Sequence, residues 1–188
     1  MPRSTQAAER FSARGVAIVA AARAIAESDG WSAVTVRRLA ESVGVSQPIL
    51  YKHFPGGREQ VVEQVVLDGS AEIAAALSAN AQDDGILRHV VTAYFDYANA
   101  HPAVVEAMFT GLTNLRFASS ETPPELLRGF AAIRRAVAVD DPHRSDLRAE
   151  LLWSLLHGAS ELMRSGRLPA VLHEERVEEI VRLFGRDE

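Results

Sequence analysis

The chain of 188 residues has no cysteine, and it has a single lysine, Lys52, against nineteen arginines. Without a thiol there is no disulfide, no thiolate metal ligand and no cysteine nucleophile, and the composition fits a reducing compartment. Nowhere do roughly 20 uncharged residues follow one another, which a membrane-spanning helix needs. The opening MPRSTQAAERFSARG carries arginines but lacks an apolar core of about 7 to 15 residues before a small-residue cleavage site, so no secretory signal is expected and the expected location is the cytoplasm. The preference for arginine, with abundant alanine, points to a GC-rich genome and says nothing about chemistry.

Catalytic and metal signatures are missing as well. The six histidines, His53, His89, His101, His143, His157 and His173, never pair at i, i+3 or i, i+4 and form no H-E-x-x-H, so no zinc site is expected. There is no G-x-S-x-G, no phosphate-binding glycine loop and no dinucleotide fingerprint. The expectation is a protein that is not an enzyme and carries no cofactor.

What is present is a globular composition, 47% hydrophobic and 24% charged, in a chain long enough for one sizeable core or for a small module on a larger one. Strand signals are nearly absent, while apolar residues recur at helical spacing, which predicts an all-α protein of about nine helices. Phe11, Gly15, Ile18, Ala22 and Ile25 step along a first helix that Asp29-Gly30 ends. Thr35 is placed to cap a short second helix through Val36, Leu39, Ala40 and Val43, Gly44 supplies a turn, and Ser46 is placed to cap a third helix of about two turns. Pro55-Gly56-Gly57 closes it, and a fourth helix is predicted over 58–80. After a break at Gln82-Asp83-Asp84-Gly85, helices are predicted over 86–99 and 102–110, the latter opened by Pro102. Residues 111–121 read as a loop. Thr122-Pro123-Pro124-Glu125 has the pattern of a capping box opening a helix to about Val139, Asp141-Pro142 opens the next, to about 165, and a last helix spans 173–184. Internal repeats and low-complexity tracts are absent.

The net charge of −5 is unevenly spread. Up to residue 58 there are eight basic against four acidic residues, and beyond it twelve against twenty-one. A basic head on an acidic body suits a head that meets a polyanion, because Lys and Arg gain affinity by releasing phosphate counterions.

The segment 39–54, LAESVGVSQPILYKHF, has the parts of a helix-turn-helix DNA reader: two short helices joined at a glycine and preceded by a longer one. With Leu50 set at zero and about 100° per residue, Phe54 falls near 40°, Tyr51 near 100°, Pro48 near 160°, Lys52 near 200° and Ile49 near −100°. Leu50 and Phe54 therefore mark the core side, away from which lie Lys52 and the Tyr51 hydroxyl for phosphate and Ile49 for a thymine methyl, with Gln47 at the start of the helix for a base edge.

The run TVRRLAESVGVSQPILYKHF at 35–54, with the Gly30-Trp31 junction before it, strongly resembles the tetracycline-repressor (TetR) family of bacterial transcriptional regulators, over roughly residues 10–75. The resemblance implies that Thr35 and Arg37 touch the DNA backbone or groove edge, that Gln47, Pro48 and Ile49 read bases, and that Tyr51, Lys52 and His53 contact phosphate. It assigns a phosphate role to Arg58 too, although Phe54-Pro55-Gly56-Gly57-Arg58 holds one residue more than the family's usual spacing. A DNA-binding domain at 1–57, connected by the fourth helix to a ligand-binding and dimerisation domain at 58–188, follows from the same resemblance.

In the body, Trp153-Ser154-Leu155-Leu156-His157-Gly158 is similar to the W-x-x-x-H-G signature of one TetR-like C-terminal class. The family pairs its last two long helices into a four-helix dimer interface. Here that implies Leu151, Leu155, Gly158, Ala159, Leu162, Val177, Ile180 and Phe184. It also implies a small-molecule effector held among the body helices, with Tyr94, Met108, Phe109 and Trp153 as candidate lining and His157 or His101 as a polar anchor. The expected function is a homodimeric, ligand-responsive repressor on a palindromic operator. The rival from another class is a helical ligand-binding or scaffolding protein whose basic head contacts a protein.

Overall fold

The computed structural model describes residues 2–79, 85–116 and 119–185, with residues 2–9 described by backbone alone. Every regular element among the described residues is helical, as the periodicity predicts: α1 (Pro2–Asp29), α2 (Val36–Ser42), α3 (Gln47–His53), α4 (Gly57–Ser78), α5 (Ile86–Ala100), α6 (Pro102–Phe109), α7 (Pro124–Ala136), α8 (Pro142–Arg164) and α9 (His173–Phe184). Two single 3-10 turns, Trp31–Ala33 and Ala170–Leu172, were not anticipated from the periodicity. The expected break at 82–85 lies outside the described residues except for Gly85, and so do residues 117 and 118 of the expected loop.

Local chemistry sets most helix ends. Gly30 takes φ +80° and its N–H donates to Ala26 O at 2.9 Å, so α1 stops there. Thr35 caps α2 by accepting from Arg38 N at 3.2 Å, and Asp141 caps α8 by accepting from His143 N at 2.9 Å. Two expected caps fail. Ser46 occupies the N-cap position of α3 in extended backbone, but its hydroxyl makes no capping bond and only its carbonyl serves the helix. The capping box at Thr122 is not formed: Pro123, which has no side-chain donor or acceptor, takes the N-cap place, and the Thr122 hydroxyl accepts from Ser119 N at 3.0 Å.

The chain divides into two compact units, one of residues 1–69 with 101–116, the other of 70–100 with 117–188. In the first, α1 packs against α2 and α3, and Ile18, Ala22, Ile25, Leu39, Leu50 and Phe54 are buried there, as are Val61 and Val62 of α4. Each such side chain contributes roughly 1.5–3 kcal/mol of transfer free energy. Helix α6 belongs to this unit because two residues near the end of α1 hold it. The buried indole N–H of Trp31 donates to Ala103 O at 2.7 Å, and the Glu27 carboxylate accepts from Ala103 N at 3.0 Å and Val104 N at 3.4 Å. Glu27 thereby satisfies N–H groups that the first turn of α6 cannot pair internally, and its negative charge suits that end of the helix dipole.

In the second unit α5 is central and packs against α7, α8 and α9. It buries Leu87, Val90, Val91, Tyr94, Phe95, Tyr97 and Ala98, at spacings that cover much of its circumference. The end of α4 is fastened here by Tyr97, whose hydroxyl donates to Glu72 at 3.1 Å, and by His89, whose Nε2 lies 2.9 Å from Ala76 O. Ser145, almost wholly buried, closes the α7–α8 connection: its hydroxyl accepts from Val139 N at 3.0 Å and donates to Asp141 O at 2.9 Å.

Candidate nucleic-acid interface

Helix α3 is held by its inner side. Leu50 and Phe54 are buried and Pro48 and Lys52 exposed, as the helical angles require; Gln47 and Tyr51 are exposed as well, and Ile49 is half-buried. Gly44, at φ +68°, sets the turn from α2. The Tyr51 ring is seated by a second glycine: Gly57 takes φ +62°, and a Cβ there would come 3.0 Å from Tyr51 Cε1. The expanded Pro55-Gly56-Gly57 loop therefore makes room for a tyrosine at the end of α3.

Other expected contact residues are placed differently. Arg58 turns inward, donating from Nε to Val34 O at 2.8 Å and from Nη2 to Trp31 O at 3.0 Å, so it ties α4 to the 3-10 turn. Its fork answers the Val34 carbonyl and shares the Trp31 carbonyl with Val34 N, which donates to it at 3.2 Å, a structural use of the guanidinium. His53 turns toward α1, where its ring stacks on Phe11 with centroids 3.8 Å apart and planes 22° from parallel. Its Nε2 is buried without a hydrogen-bond partner. Burial, with the positive charge of Arg14 nearby, lowers the imidazole below the ordinary histidine range.

Thr35 is exposed with its hydroxyl engaged in the α2 cap, and Arg37 is exposed in a 3.2 Å pair with Glu41 one turn on. Such exposed pairs contribute roughly 0–1 kcal/mol, so Arg37 is readily released to another anion. Arg38, for which no role was expected, pairs with Asp29 and holds that carboxyl below the usual carboxylate range.

The candidate effector residues fall in both units. His101 at the N-cap of α6, half-buried Met108 and exposed Phe109 lie in the unit of the helix-turn-helix, and Tyr94, Trp153 and His157 lie in the other. Tyr94 is 1% exposed. Burial raises its phenol; the adjacent Trp153 indole opposes the shift without reaching hydrogen-bond geometry with the hydroxyl. Trp153 packs at a tilt on Phe130, centroids 5.9 Å apart. Burial lowers His157, against a smaller opposing pull from Glu161.

Of the expected dimer residues, Val177 and Ile180 are 2% and 3% exposed. They are spent on the chain's own core, where α9 packs on α5, and have almost no exposed area. Phe184 is half-buried, with the Arg148 guanidinium 5.8 Å from its ring centroid. Helix α8 does present an apolar stripe: Leu147, Leu151 and Leu162 are exposed, and Leu155, Gly158 and Ala159 are partly exposed along the same helix.

No helix among the described residues is long and apolar enough to cross a membrane, and no group of three potential metal ligands occurs among them. The chain matches no protein of curated function. Its fold is shared by several solved structures at low identity. A protein of unknown function from Rhodococcus sp. RHA1 is 20% identical over 92% of this chain and 96% of its own, with a TM-score of 0.72. A tetR-family transcriptional regulator from Streptomyces coelicolor is 21% identical over 92% of this chain and 80% of its own, with a TM-score of 0.69. A tetR-family bacterial regulatory protein from Rhodococcus RHA1 is 21% identical over 93% of this chain and 98% of its own, with a TM-score of 0.66. Residues 18–65 match the profile of the bacterial regulatory proteins of the tetR family, which spans the helix-turn-helix just described. Residues 87–184, more than half of the chain, match that of the tetracyclin repressor-like C-terminal domain, and the protein thus belongs to the TetR family of bacterial transcriptional regulators.

Proposed function

We propose that this protein is a cytoplasmic, homodimeric repressor that binds a palindromic operator and leaves it when a small molecule enters the body. One observation carries the reading: a helix-turn-helix whose third helix buries Leu50 and Phe54 while turning Gln47, Pro48, Tyr51 and Lys52 outward. Gln47 and Ile49 would meet base edges; Tyr51 and Lys52 would meet phosphates; Thr35 and Arg37 at the start of α2 would flank them. The exposed stripe of α8, with its small residues Gly158 and Ala159, supports dimerisation through this helix.

The effector reading rests on the buried phenol of Tyr94, the Trp153 indole and the imidazole of His157, the last two of which carry the W-x-x-x-H-G pattern of one C-terminal class. Helix α4 runs through both compact units, its first turns counted with the reading head and its last with α5. Displacing α4 would take two reading helices of a dimer out of step with groove positions about 34–36 Å apart or a multiple of that. Couplings of this kind typically amount to about 1–3 kcal/mol.

The test is a gel shift of the purified protein against the DNA upstream of its own gene. Retardation of that duplex in preference to a scrambled one is expected. Indifference to every candidate control region at low salt would leave the rival, a helical protein whose basic head docks on another protein.

A further inference from the structure

The basic residues of the reading unit are not equally available to a ligand. Arg37 is paired with Glu41, Arg38 with Asp29, and Arg58 with two backbone carbonyls. Arg10 and Arg14 of α1, by contrast, are exposed and have no hydrogen-bond or ion-pair partner among the described residues; Lys52 of α3 is in the same state. Four residues apart, Arg10 and Arg14 share one side of α1, and no acidic residue occurs along that helix between Glu9 and Glu27.

This pair of cations is also fixed relative to the reading helix. Phe11, between them in sequence, stacks on His53 at the end of α3, and Gly15, next to Arg14, lies against the same imidazole, 3.8 Å from where its Cβ would be to His53 Nδ1. The charge of Arg14 is felt at His53. Two guanidinium groups with no ion-pair partner among the described residues are thus carried beside the end of α3 that bears Tyr51 and Lys52. A ring of His53 packed in this way cannot turn out to a phosphate, and the arginines next to it supply positive charge where the histidine does not.

We infer that Arg10 and Arg14 form a second phosphate-contacting row, continuous with Tyr51 and Lys52, that grips the DNA backbone beside the bases read by α3 and is registered by the Phe11–His53 stack. The inference rests on α3 being the DNA-reading helix. The row is independent of base sequence: guanidinium groups displace condensed counterions from phosphate and carry no base readout.

The test is fluorescence anisotropy of the full chain on a duplex from its own upstream region and on a scrambled duplex, over a series of salt concentrations. Wild type, R10Q/R14Q and F11A are compared. Glutamine keeps helix propensity close to that of arginine, so helical circular dichroism should be unchanged. Removing one guanidinium from a phosphate should reduce the slope of log K against log salt by about 0.9, and at about 0.1 M salt should weaken binding about eightfold. R10Q/R14Q should therefore lose affinity on both duplexes by the same factor, with a shallower slope and an unaltered preference between them. F11A should move in the same direction, because it frees the row from its register. If R10Q/R14Q does not fold, the single variants R10Q and R14Q are read in the same way. Wild type binding with a steep slope that R10Q/R14Q leaves intact would overturn this inference and spare the regulator reading. Wild type failing to bind any duplex would overturn both.

Discussion

The indole N–H of Trp31 donates to the carbonyl of Ala103 at 2.7 Å, in a buried position and across 72 residues of sequence. With the Glu27 carboxylate accepting from Ala103 N and Val104 N, it joins the end of α1 to the start of α6 by three hydrogen bonds in a small area. Trp31→Phe would keep most of the apolar ring and remove the buried side-chain bond to the Ala103 carbonyl, which keeps its place in the backbone ladder of α6. A loss of about 0.5–1.5 kcal/mol is expected, the usual net contribution of one hydrogen bond. Glu27→Ala removes a cap and should cost about 0.5–2 kcal/mol. Urea titrations of the two variants and of the double variant would show whether the losses are coupled, as neighbours in one network should be. Strictly additive losses would mean that the two side chains hold α6 independently.

These bonds also show where sequence reading stops. The helices were legible because their apolar periodicity is local: Leu50 and Phe54 had to share a side whatever the rest of the chain did. The outward placement of Pro48 and Lys52 followed from the same arithmetic, whereas Gln47, at about 60°, is exposed because it sits at the open start of the helix. Glu27, Trp31 and Arg58 left no such trace, because their partners are 24 to 77 residues away and are backbone atoms, which every residue offers alike. Val177 and Ile180 mark the ambiguity of an amphipathic helix: its pattern says that one face is covered, and the covering surface turned out to be α5 of the same chain. Ser46 and Thr122 show that a capping residue type in the right place is a permission and no guarantee of the bond.

Gly57 bears on the shape of the reading surface. Any other residue there would hold a left-handed backbone at φ +62° and push a Cβ to 3.0 Å from Tyr51 Cε1. Gly57→Ala should therefore destabilise the protein by about 1–2 kcal/mol through backbone strain and also displace the Tyr51 ring. Tyr51→Ala in the same background removes the steric part and leaves the strain, so the double variant should melt above the sum of the two single losses. Thermal unfolding of the four proteins measures this directly.

The two kinds of DNA contact should separate in binding data. Gln47→Ala is expected to remove discrimination worth about 1–3 kcal/mol at one base position of each half-site, changing which operators are preferred. Lys52→Ala should weaken all duplexes alike and reduce the salt slope by about one unit for each phosphate it no longer neutralises. Selection from a randomised operator library, followed by salt titration of the winners, reads both effects. A Gln47 variant that selects the wild-type operator unchanged would remove it from base recognition.

Stability should depend on pH through His53 and His157, both lowered by burial from the ordinary value of 6.5. In the unfolded chain they take up protons near that value, while in the folded protein they do so only at lower pH. Between the two the unfolded state holds more protons, so stability rises with pH across this window. It is complete above about pH 6.5 and declines as acid titrates the unfolded imidazoles and then the folded ones. The urea midpoint should therefore fall on acidification below about pH 6.5, and less so in His53→Gln and His157→Gln.

Dimerisation can be separated from folding by two substitutions, one in α8 and one in α9. Leu151 is 63% exposed on the outer stripe of α8, so nothing inside the protomer depends on it. Leu151→Glu would set a charge in the middle of an interface that, on the usual scale, buries about 1,600 Å2, where an unpaired carboxylate is strongly unfavourable. The variant should fold with an unaltered melting profile at concentrations where the wild type is already monomeric, and sediment as a monomer where the wild type does not. Ile180 is 3% exposed against α5, and Ile180→Ala should instead cost about 2–5 kcal/mol of folding stability through the cavity it leaves. Because a palindromic operator needs two reading helices held at a fixed separation, Leu151→Glu should also lose tight operator binding while keeping the weak, salt-sensitive binding of a single head. Sedimentation velocity paired with anisotropy tests this. A monomeric variant that binds the full operator as tightly as the wild type would show that the α8 stripe serves some purpose other than pairing two reading heads.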